Sequence, residues 1–427
     1  MHDFGVTMKQ LRKIVLITFV TTILPAIAHA NMGPAVVLQF GFHLVFLTWI
    51  IGLGEGLLLC TLFRAWRPRV WMFRIFFSMI AANVTSAWLG MLFVKSRYAA
   101  QIMGDVTIEN LIPAHWTMVY ITFVLTIIIE FPFFLMALYG RKWLILKAVI
   151  TTVFVHFISY SFLFFFYTSE ESINMVTELE VVPTSAFEMK EEYDLYYISP
   201  DGKNVLRSDF AGNDVEVVTT LDEMDGIPDR LCASLRIITK EISEGKDKGR
   251  NKTTQSICWK SVFDLYVLMN VNGANETKLL LKDFSSHSAV GKNKYSTSCD
   301  VETANDFGYF RSFSNVKSWE FYSDYWSLLS ATRIKQGYQP YTTRRYRLGS
   351  NVDYRLDTPF VQWPVRNGTH IAGDYGVFLL GKDQICILDP EKKRIALIAR
   401  GFGPVVAKPP LEEIPETISE QTVNEVP

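Results

Sequence analysis

Four polar side chains within otherwise apolar stretches of the first 170 residues are the best candidates for chemistry. Glu55 lies in the run Gly52–Gly56, and Asn83, Glu130 and His156 lie near the middle of three later apolar runs. At a helical rise of about 1.5 Å per residue, these last three fall at one depth, whereas Glu55 falls nearer one end of its run. A carboxylate in lipid must be protonated, paired or next to water. The sequence therefore predicts an intramembrane polar cluster.

Two interpretations of such a cluster stay open. The side chains bind and release an ion, as in transporters and ion-coupled signalling proteins, or they only hydrogen-bond the helices to one another. His43 and His115 offer further imidazoles for a metal or a haem, but no cysteine or carboxylate at ligand spacing accompanies them. The sequence therefore predicts no metal site and no cofactor.

The elements that must position these side chains are apolar runs long enough to cross a bilayer as helices. There are four: Ala35–Phe63, Ile75–Val94, Trp116–Tyr139 and Ala148–Tyr167. They have no polar stripe of the kind that a water-soluble core helix shows, and Glu55 and Glu130 are their only formal charges. We therefore predict a bundle of four transmembrane helices within residues 31–168.

The basic residues between these runs predict the orientation of the bundle. Seven lie in the links after the first and third runs: Arg64, Arg67, Arg69, Arg74, Arg141, Lys142 and Lys147. The link between the second and third runs has two basic residues, which Asp105 and Glu109 balance. Because short loops rich in Lys and Arg stay in the cytoplasm, the chain after Tyr167 is predicted to be extracytoplasmic, in the periplasm or outside the cell.

The N-terminus has the three parts of an export signal. Three basic residues between positions 9 and 13 precede the apolar stretch Ile14–Ile27, and Ala28-His29-Ala30 has the small-x-small pattern of a cleavage site. We predict a signal peptide over residues 1–30. An uncleaved first helix is the alternative, and both place Asn31 outside the cytoplasm.

Charge divides the chain into two unlike parts. Residues 1–170 carry 12 Lys and Arg against 6 Asp and Glu, whereas residues 171–427 carry 30 against 37. A positive excess beside apolar runs is typical of membrane topology rather than of nucleic-acid binding. We expect the lipid bilayer as a partner and no nucleic acid.

The second part of the chain has the pattern of β-strands. Short segments rich in Val, Ile, Tyr and Phe alternate with turn residues. The sequence aromatic-Asp-Leu-Tyr occurs at Tyr193–Tyr196 and again at Phe263–Tyr266, each time before a turn and a returning strand. We predict a linker over residues 169–190, an all-β domain over 191–406 and a disordered tail rich in Pro and Glu over 407–427.

The turn Tyr197–Lys203, which reads Tyr-Ile-Ser-Pro-Asp-Gly-Lys, resembles a blade turn of the periplasmic and extracellular β-propellers of the Tol-system and WD40-like families. This resemblance implies a propeller-like domain. A Pro-Asp-Gly turn suits any hairpin, so a β-sandwich is the alternative. The helical part resembles no named family.

Four of the five cysteines lie in the predicted exported half, where an oxidising compartment permits disulfides. Cys232 and Cys258 flank the polar stretch Lys240–Ser256. If that stretch is a hairpin loop, the two thiols face each other across a strand pair, and we predict a disulfide between them. Buried free thiols are the alternative.

The exported half has no Gly-x-Ser-x-Gly elbow, no His-Glu-x-x-His helix and no Walker loop, so we expect no enzyme. The sequence favours a non-enzymatic integral membrane protein whose exported β-domain binds an envelope component, protein or polymer, while the helices anchor it. The alternative is an ion-coupled transporter or signalling unit that uses the Asn83, Glu130 and His156 layer. A membrane redox protein that uses His43, His115 or His156 is a third hypothesis. The sequence specifies no oligomeric state.

Overall fold

The computed structural model describes residues 48–65, 69–94, 96–168, 173–222, 224–242, 255–285, 308–313, 318–323, 328–333, 351–356, 358, 360–361 and 363–408. The chain forms two compact units, Met1–Ser172 and Ile173–Pro427, here called the helical unit and the β unit. The predicted signal peptide, His43 and the tail from residue 409 onward lie outside the described residues.

The helical unit consists of apolar helices joined by short connections. They are α1 (Thr48–Leu62), α2 (Arg69–Val94), α3 (Arg97–Met103), α4 (Leu111–Leu138) and α5 (Leu144–Thr168). Three of them, α2, α4 and α5, are long and apolar enough to cross a membrane, and α1 is a shorter apolar helix of 15 residues. The earlier part of the run Ala35–Phe63 lies outside the described residues. Three of the predicted spans are therefore confirmed as candidates.

Large apolar side chains cover the outside of the helical unit. Phe77 and Phe157, for example, are 70% and 66% exposed. Apolar patches of this kind are rare on water-soluble monomers and are the expected surface towards lipid chains. The polar side chains Glu55, Asn83 and Glu130 are buried instead. The N-terminal part of the protein is therefore membrane-embedded.

Two glycines bring α1 and α2 close together. A Cβ on Gly52 would lie 2.9 Å from Cα of Ile80, and a Cβ on Gly56 would lie 2.7 Å from Cδ1 of Phe76. Small residues four positions apart let membrane helices approach closely. Because Glu55 lies three residues after Gly52, it shares this packed face and is directed into the bundle.

Basic residues donate hydrogen bonds to the ends of helices on the side of the helical unit where α1 ends and α2 begins. Nη2 of Arg74 donates to the carbonyl oxygen of Tyr139 at 2.7 Å, and Nη2 of Arg141 donates to that of Phe63 at 3.4 Å. Both guanidinium groups lie over the ring of Trp71, at 4.7 and 4.2 Å from its centroid. Cations near helix C-termini and over aromatic faces are stabilising.

The β unit contains eighteen strands in its described part. They are β1 (Ile173–Asn174), β2 (Glu180–Val181), β3 (Asp194–Ile198), β4 (Asn204–Ser208), β5 (Glu216–Thr220), β6 (Ile227–Ile242), β7 (Gln255–Val271), β8 (Ala274–Ser285), β9 (Gly308–Tyr309), β10 (Arg311–Ser312), β11 (Trp319–Ser323), β12 (Leu328–Arg333), β13 (Asn351–Arg355), β14 (Val365–Ile371), β15 (Tyr375–Leu380), β16 (Gln384–Asp389), β17 (Arg394–Arg400) and β18 (Phe402–Ala407).

These strands form four sheets with the orders β1-β13-β12-β11-β9, β10-β14-β15-β16-β17-β2, β18-β3-β4-β5 and β6-β7-β8. Within the described residues they close into neither a barrel nor a propeller. The last strand, β18, pairs with β3 near the start of the unit. The segment predicted as a linker contributes β1 and β2, which pair in parallel with β13 and β17.

The first aromatic-Asp-Leu-Tyr segment leads into strand β3, and both faces of this strand are buried. Leu195 and Tyr197 pack into one hydrophobic cluster with β15, β16 and β17. Tyr196 and Ile198 pack into a second cluster with β6 and β7. Because successive side chains of a strand point to opposite faces, β3 is buried between two cores.

The aspartates of both repeat copies are buried and paired with an arginine of a neighbouring strand. Oδ1 of Asp194 lies 3.0 Å from Nη2 of Arg207 on β4. Asp264 on β7 accepts two hydrogen bonds from Arg236 on β6, at 2.8 and 3.1 Å. These hydrogen bonds lower the pKa of Asp264. The repeat therefore marks a buried aspartate that is paired with a partly exposed arginine in each of two hairpins.

The disulfide predicted between Cys232 and Cys258 is wrong, although Cys232 is disulfide-bonded. Strand β6 ends at Ile242 and strand β7 begins at Gln255. The connection between them is therefore shorter than the predicted loop Lys240–Ser256. In their register Cys232 lies opposite Tyr266, eight residues beyond Cys258. Eight residues of strand span roughly 26 Å, whereas a disulfide needs Cα atoms within about 7 Å. Cys60 and Cys386 are buried and form no disulfide.

Candidate functional site

Helices α1, α2, α4 and α5 bring all four sequence-predicted residues into one buried cluster. Glu55, Glu130 and His156 are 4%, 1% and 2% exposed, and Asn83 is buried beside them. One ligand atom from each of the two carboxylates and the imidazole lies within 4.8 Å of the others. The cluster therefore combines two acids and one base from three helices.

Glu55 is held by hydrogen bonds to both of its oxygens. Nδ2 of Asn83 donates to Oε2 at 2.7 Å, and Oγ of Ser159 donates to Oε1 at 2.7 Å. The same Asn83 nitrogen also donates to the carbonyl oxygen of Met79 at 3.0 Å, within its own helix. These contacts fix the orientation of the Glu55 carboxyl group.

Glu130 accepts a hydrogen bond at only one of its two carboxylate oxygens within the described residues. Oγ of Ser86 donates to its Oε1 at 2.5 Å. Its Oε2 lies 3.5 Å from Nε2 of His156, and neither of these two atoms has a hydrogen-bond partner in the described part of the chain. Nδ1 of His156 lies 3.8 Å from Oε1 of Glu55. The imidazole therefore faces two carboxylates and is beyond ordinary hydrogen-bond distance of both.

The surroundings of the cluster differ at its two ends. Towards the Arg74 end of the bundle, an apolar core fills the space between the helices; its buried members are Leu59, Cys60, Ala65, Ile75, Met79, Phe134, Ala137, Leu138, Ala148 and Val155. The ring of Phe134 makes an edge contact with the His156 ring at 5.7 Å. Towards the opposite end, the hydroxyls of Thr126 and Tyr160 lie 3.2 Å apart, one helical turn from Glu130 and His156. The side towards Arg74 is therefore predominantly apolar, with Ser78 and Thr152 as buried hydroxyls, whereas the opposite side has a pair of hydroxyls next to the site.

The sequence placed Glu55 nearer the end of its helix than the other three residues, and the structure corrects this. Asn83, which the sequence placed in one layer with Glu130 and His156, donates to Glu55. The close packing at Gly52 and Gly56 sets the depth of α1 against α2, and this depth cannot be counted from the start of an apolar run.

Sequence reasoning missed the two serines of the site. Ser86 and Ser159 lie three residues after Asn83 and His156, so each shares the helical face of its neighbour. That spacing was the signal that could have found them. The other imidazole considered, His115, is buried near the start of α4 against the edge of Trp116, about four turns from Glu130, and is not part of the cluster.

The donor set of the cluster suits a cation. Two carboxylates and one imidazole are ligands of divalent first-row transition metals. Among the residues that the structure describes, this is the one group of three acidic, cysteine or histidine side chains with such spacing. The sequence-based expectation of no metal site was drawn from His43 and His115 and did not weigh His156 together with the two glutamates.

In the β unit, His370 is paired with Asp374, with Nε2 and Oδ1 3.2 Å apart. Burial raises the pKa of Asp374, but hydrogen bonds from His370 and from the backbone N–H of Ser318 outweigh it and bring the pKa to about 2. Asp374 adopts a positive φ of 63° in the turn before β15. These contacts stabilise a turn.

Comparison with known proteins finds no family model, curated protein or solved structure with significant similarity to this chain, so the fold and the geometry of the cluster are the basis for its function.

Proposed function

We propose that the protein is an ion-coupled membrane signalling unit in which a cation binds between Glu55, Glu130 and His156. The observation that carries this proposal is the pair of buried atoms, Oε2 of Glu130 and Nε2 of His156, that face each other without a hydrogen-bond partner among the described residues. Side chains that served only to join helices would complete their hydrogen bonds, because an unsatisfied buried group is costly.

The two unlike ends of the site favour signalling over transport. A cation that entered past Thr126 and Tyr160 would meet hydroxyl oxygens, but beyond the cluster it would meet the apolar core around Leu59 and Leu138. A charge in such surroundings is expensive. The ion would therefore bind and leave from the same side and bias the packing of the helices.

The topology that completes this proposal has a signal peptide over residues 1–30, four spans and an extracytoplasmic β unit. It is supported by the basic residues beside Arg74 and Arg141, at the apolar end of the site. In this topology the polar end of the cluster opens to the extracytoplasmic compartment. A reporter fused after Leu388 should be active only outside the cytoplasm, and activity in the cytoplasm would contradict the layout.

Binding of an envelope component by the β unit is the second candidate function. The outer strand β5 supports it, because Val217 is 60% exposed and Val215, just before the strand, is 54% exposed. An outer strand can pair with a partner chain through its backbone. A propeller-like arrangement of the β unit also remains a proposal, supported by β18 joining the sheet of β3.

The ion-coupled proposal can be tested by infrared difference spectroscopy of the full chain in lipid. Buffers that differ in pH, Na⁺ or divalent cation are exchanged over the same sample. We expect a change in the carboxyl bands that Glu130→Gln removes and that Glu109→Gln, at an exposed glutamate between α3 and α4, retains. A spectrum that responds to no cation would refute ion coupling and leave the helices as an anchor.

A further inference from the structure

We infer that the cation of this site is a divalent first-row transition metal of the Zn²⁺ class, held by Glu55, Glu130 and His156. The inference rests on the proposed function and names its ion. Its starting point is the convergence of two carboxylates and an imidazole within 4.8 Å, with two of their buried atoms unpartnered among the described residues.

The types of ligand exclude other common cations. Ca²⁺ takes six to eight oxygen ligands, and Mg²⁺ keeps several waters and avoids imidazole. Cu⁺ is selected by soft thiolate or thioether ligands, which this group of three lacks. Imidazole together with carboxylate suits Zn²⁺ and its neighbours Mn²⁺, Fe²⁺ and Co²⁺.

The distances agree with such an ion. Two ligand atoms that bind a tetrahedral Zn²⁺ at 2.0–2.1 Å lie about 3.4 Å apart. Nε2 of His156 and Oε2 of Glu130 are 3.5 Å apart. A direct hydrogen bond between them would be shorter, at about 2.7–3.2 Å. One ligand atom of Glu55 lies within 4.8 Å of one from each of the other two residues. Because Oε1 of Glu55 faces the other ring nitrogen, Nδ1 of His156, at 3.8 Å, a three-ligand site requires rotation of the imidazole or of the Glu55 carboxylate.

Charge balance selects a divalent ion over a monovalent one. Two carboxylates with a neutral imidazole carry a charge of −2, which one M²⁺ ion cancels. A monovalent ion would be balanced only if one of the two acids stayed protonated, and a protonated acid is no longer a metal ligand.

The remaining polar contacts are those of a supporting shell. Asn83 and Ser159 orient Glu55, and Ser86 orients Glu130. Groups that hydrogen-bond metal ligands fix their orientation, and their loss typically weakens metal binding by about 10–100-fold. The same three contacts explain why Ser86 and Ser159 lie on the inner face of their helices.

The test uses the full chain in detergent, stripped with a chelator, and Co²⁺ as the probe. We expect one Co²⁺ per chain, visible as ligand-field absorption without a thiolate charge-transfer band, and displaced by Zn²⁺ but not by Mg²⁺ or Ca²⁺. Ser86→Ala should weaken binding by roughly 10–100-fold, and Glu130→Gln or His156→Gln should weaken it further. Glu109→Gln is the matched control and should bind like the unaltered chain.

A second measurement guards against variants that fold poorly. Zn²⁺ should raise the unfolding temperature of the unaltered chain with increasing concentration, because a ligand of the native state stabilises it. Absence of Co²⁺ bands and of Zn²⁺ stabilisation in the unaltered chain, or binding unchanged in Glu130→Gln and His156→Gln, would overturn the metal assignment. If the infrared bands still respond to pH or Na⁺ in that case, the ion-coupled function stands with a different ion.

Discussion

Two buried acids, Asp264 in the β unit and Glu130 in the helical unit, are partnered in opposite ways. Asp264 in the β unit accepts two hydrogen bonds from Arg236 and a third from the backbone N–H of Asp283 at 2.9 Å. Glu130 in the helical unit accepts one, from Ser86, and keeps its other oxygen unpartnered among the described residues. The first acid has a full set of partners, and the second has capacity left for another ligand.

The counter-charge is the more informative difference, because Asp194 in the β unit also has an oxygen without a partner among the described residues but is paired with Arg207. A buried carboxylate that is permanently paired with an arginine does not readily bind another ligand, because the ligand would have to displace the arginine. A buried carboxylate beside a neutral imidazole has no permanent counter-charge, so it can exchange an ion. The polar side chains of a membrane bundle are therefore functional candidates where their hydrogen bonds are incomplete.

The largest effect is expected from separating α1 and α2. In Gly52→Leu the new Cβ would meet the backbone of Ile80, which cannot move aside as a side chain could. Loss of the α1–α2 contact takes Glu55 away from Asn83, so we expect little folded protein and no cation response. Gly90→Leu, on α2 where a Cβ meets no atom within 4 Å, is the matched control. Equal yields of the two variants, measured by size-exclusion chromatography, would contradict the packing.

The next largest effect concerns the disulfide of the β unit. Cys60 and Cys386 form no disulfide and the register excludes Cys258, so we expect non-reducing peptide mapping to join Cys232 to Cys299. A disulfide that closes the long loop between Cys232 and Cys299 should stabilise the unit by about 4 kcal/mol. Reduction should therefore lower its unfolding temperature, read from the β signal in circular dichroism, and leave the helical signal unchanged. A Cys232–Cys258 peptide would refute the register.

Breaking the ion pair of Asp264 sharpens the comparison in the β unit. Arg236→Met leaves the Asp264 carboxylate without its cation, so we expect lower stability in denaturant unfolding, moderated because Arg236 is itself partly exposed. Arg394→Met, which removes the exposed pair with Glu180 at 2.9 Å, should cost less than about 1 kcal/mol. Similar losses in both variants would mean that burial of Asp264 is unimportant.

The turn at Asp374 makes the stability of the β unit depend on pH, with an effect no larger than that of Arg236→Met. Its pKa of about 2 in the fold lies below the value of about 3.9 for an unfolded chain. The carboxylate thus contributes stability, on the order of 2 kcal/mol, that is present above about pH 4 and is lost as the pH falls towards 2. Asp374→Asn should flatten this part of the acid unfolding curve. A variant with the same acid midpoint as the unaltered chain would exclude Asp374 as a contributor.

The smallest effect on stability is expected at Glu130. Glu130→Gln keeps the size and the hydrogen bond to Ser86, so the unfolding temperature should hardly change while the cation response is lost. Glu130→Leu also loses that hydrogen bond and should be less stable by about 0.6–2 kcal/mol. A Glu130→Gln chain with a normal cation response would show that this acid has only a structural role, as Asp264 has in the β unit.

Features that depend on local pattern could be predicted from the sequence. Apolar runs predicted α2, α4 and α5, because a span needs only length and hydrophobicity. Alternation and turn residues predicted the hairpins β3–β4 and β7–β8, because strand faces repeat every two residues. The types of the cluster residues also predicted that they would be buried together, since lone polar groups in lipid are costly.

The tertiary structure alone decided how these elements lie against one another. Close packing at Gly52 and Gly56 brings Glu55 to Asn83, a depth that no single helix encodes. The extended lengths of β6 and β7 place Cys232 opposite Tyr266 rather than near Cys258, since register follows from where both strands end. The capacity of Glu130 for an ion likewise depends on atoms from three helices. Side-chain periodicity is local, whereas relative depth, register and unfilled hydrogen-bond capacity are set by packing between elements.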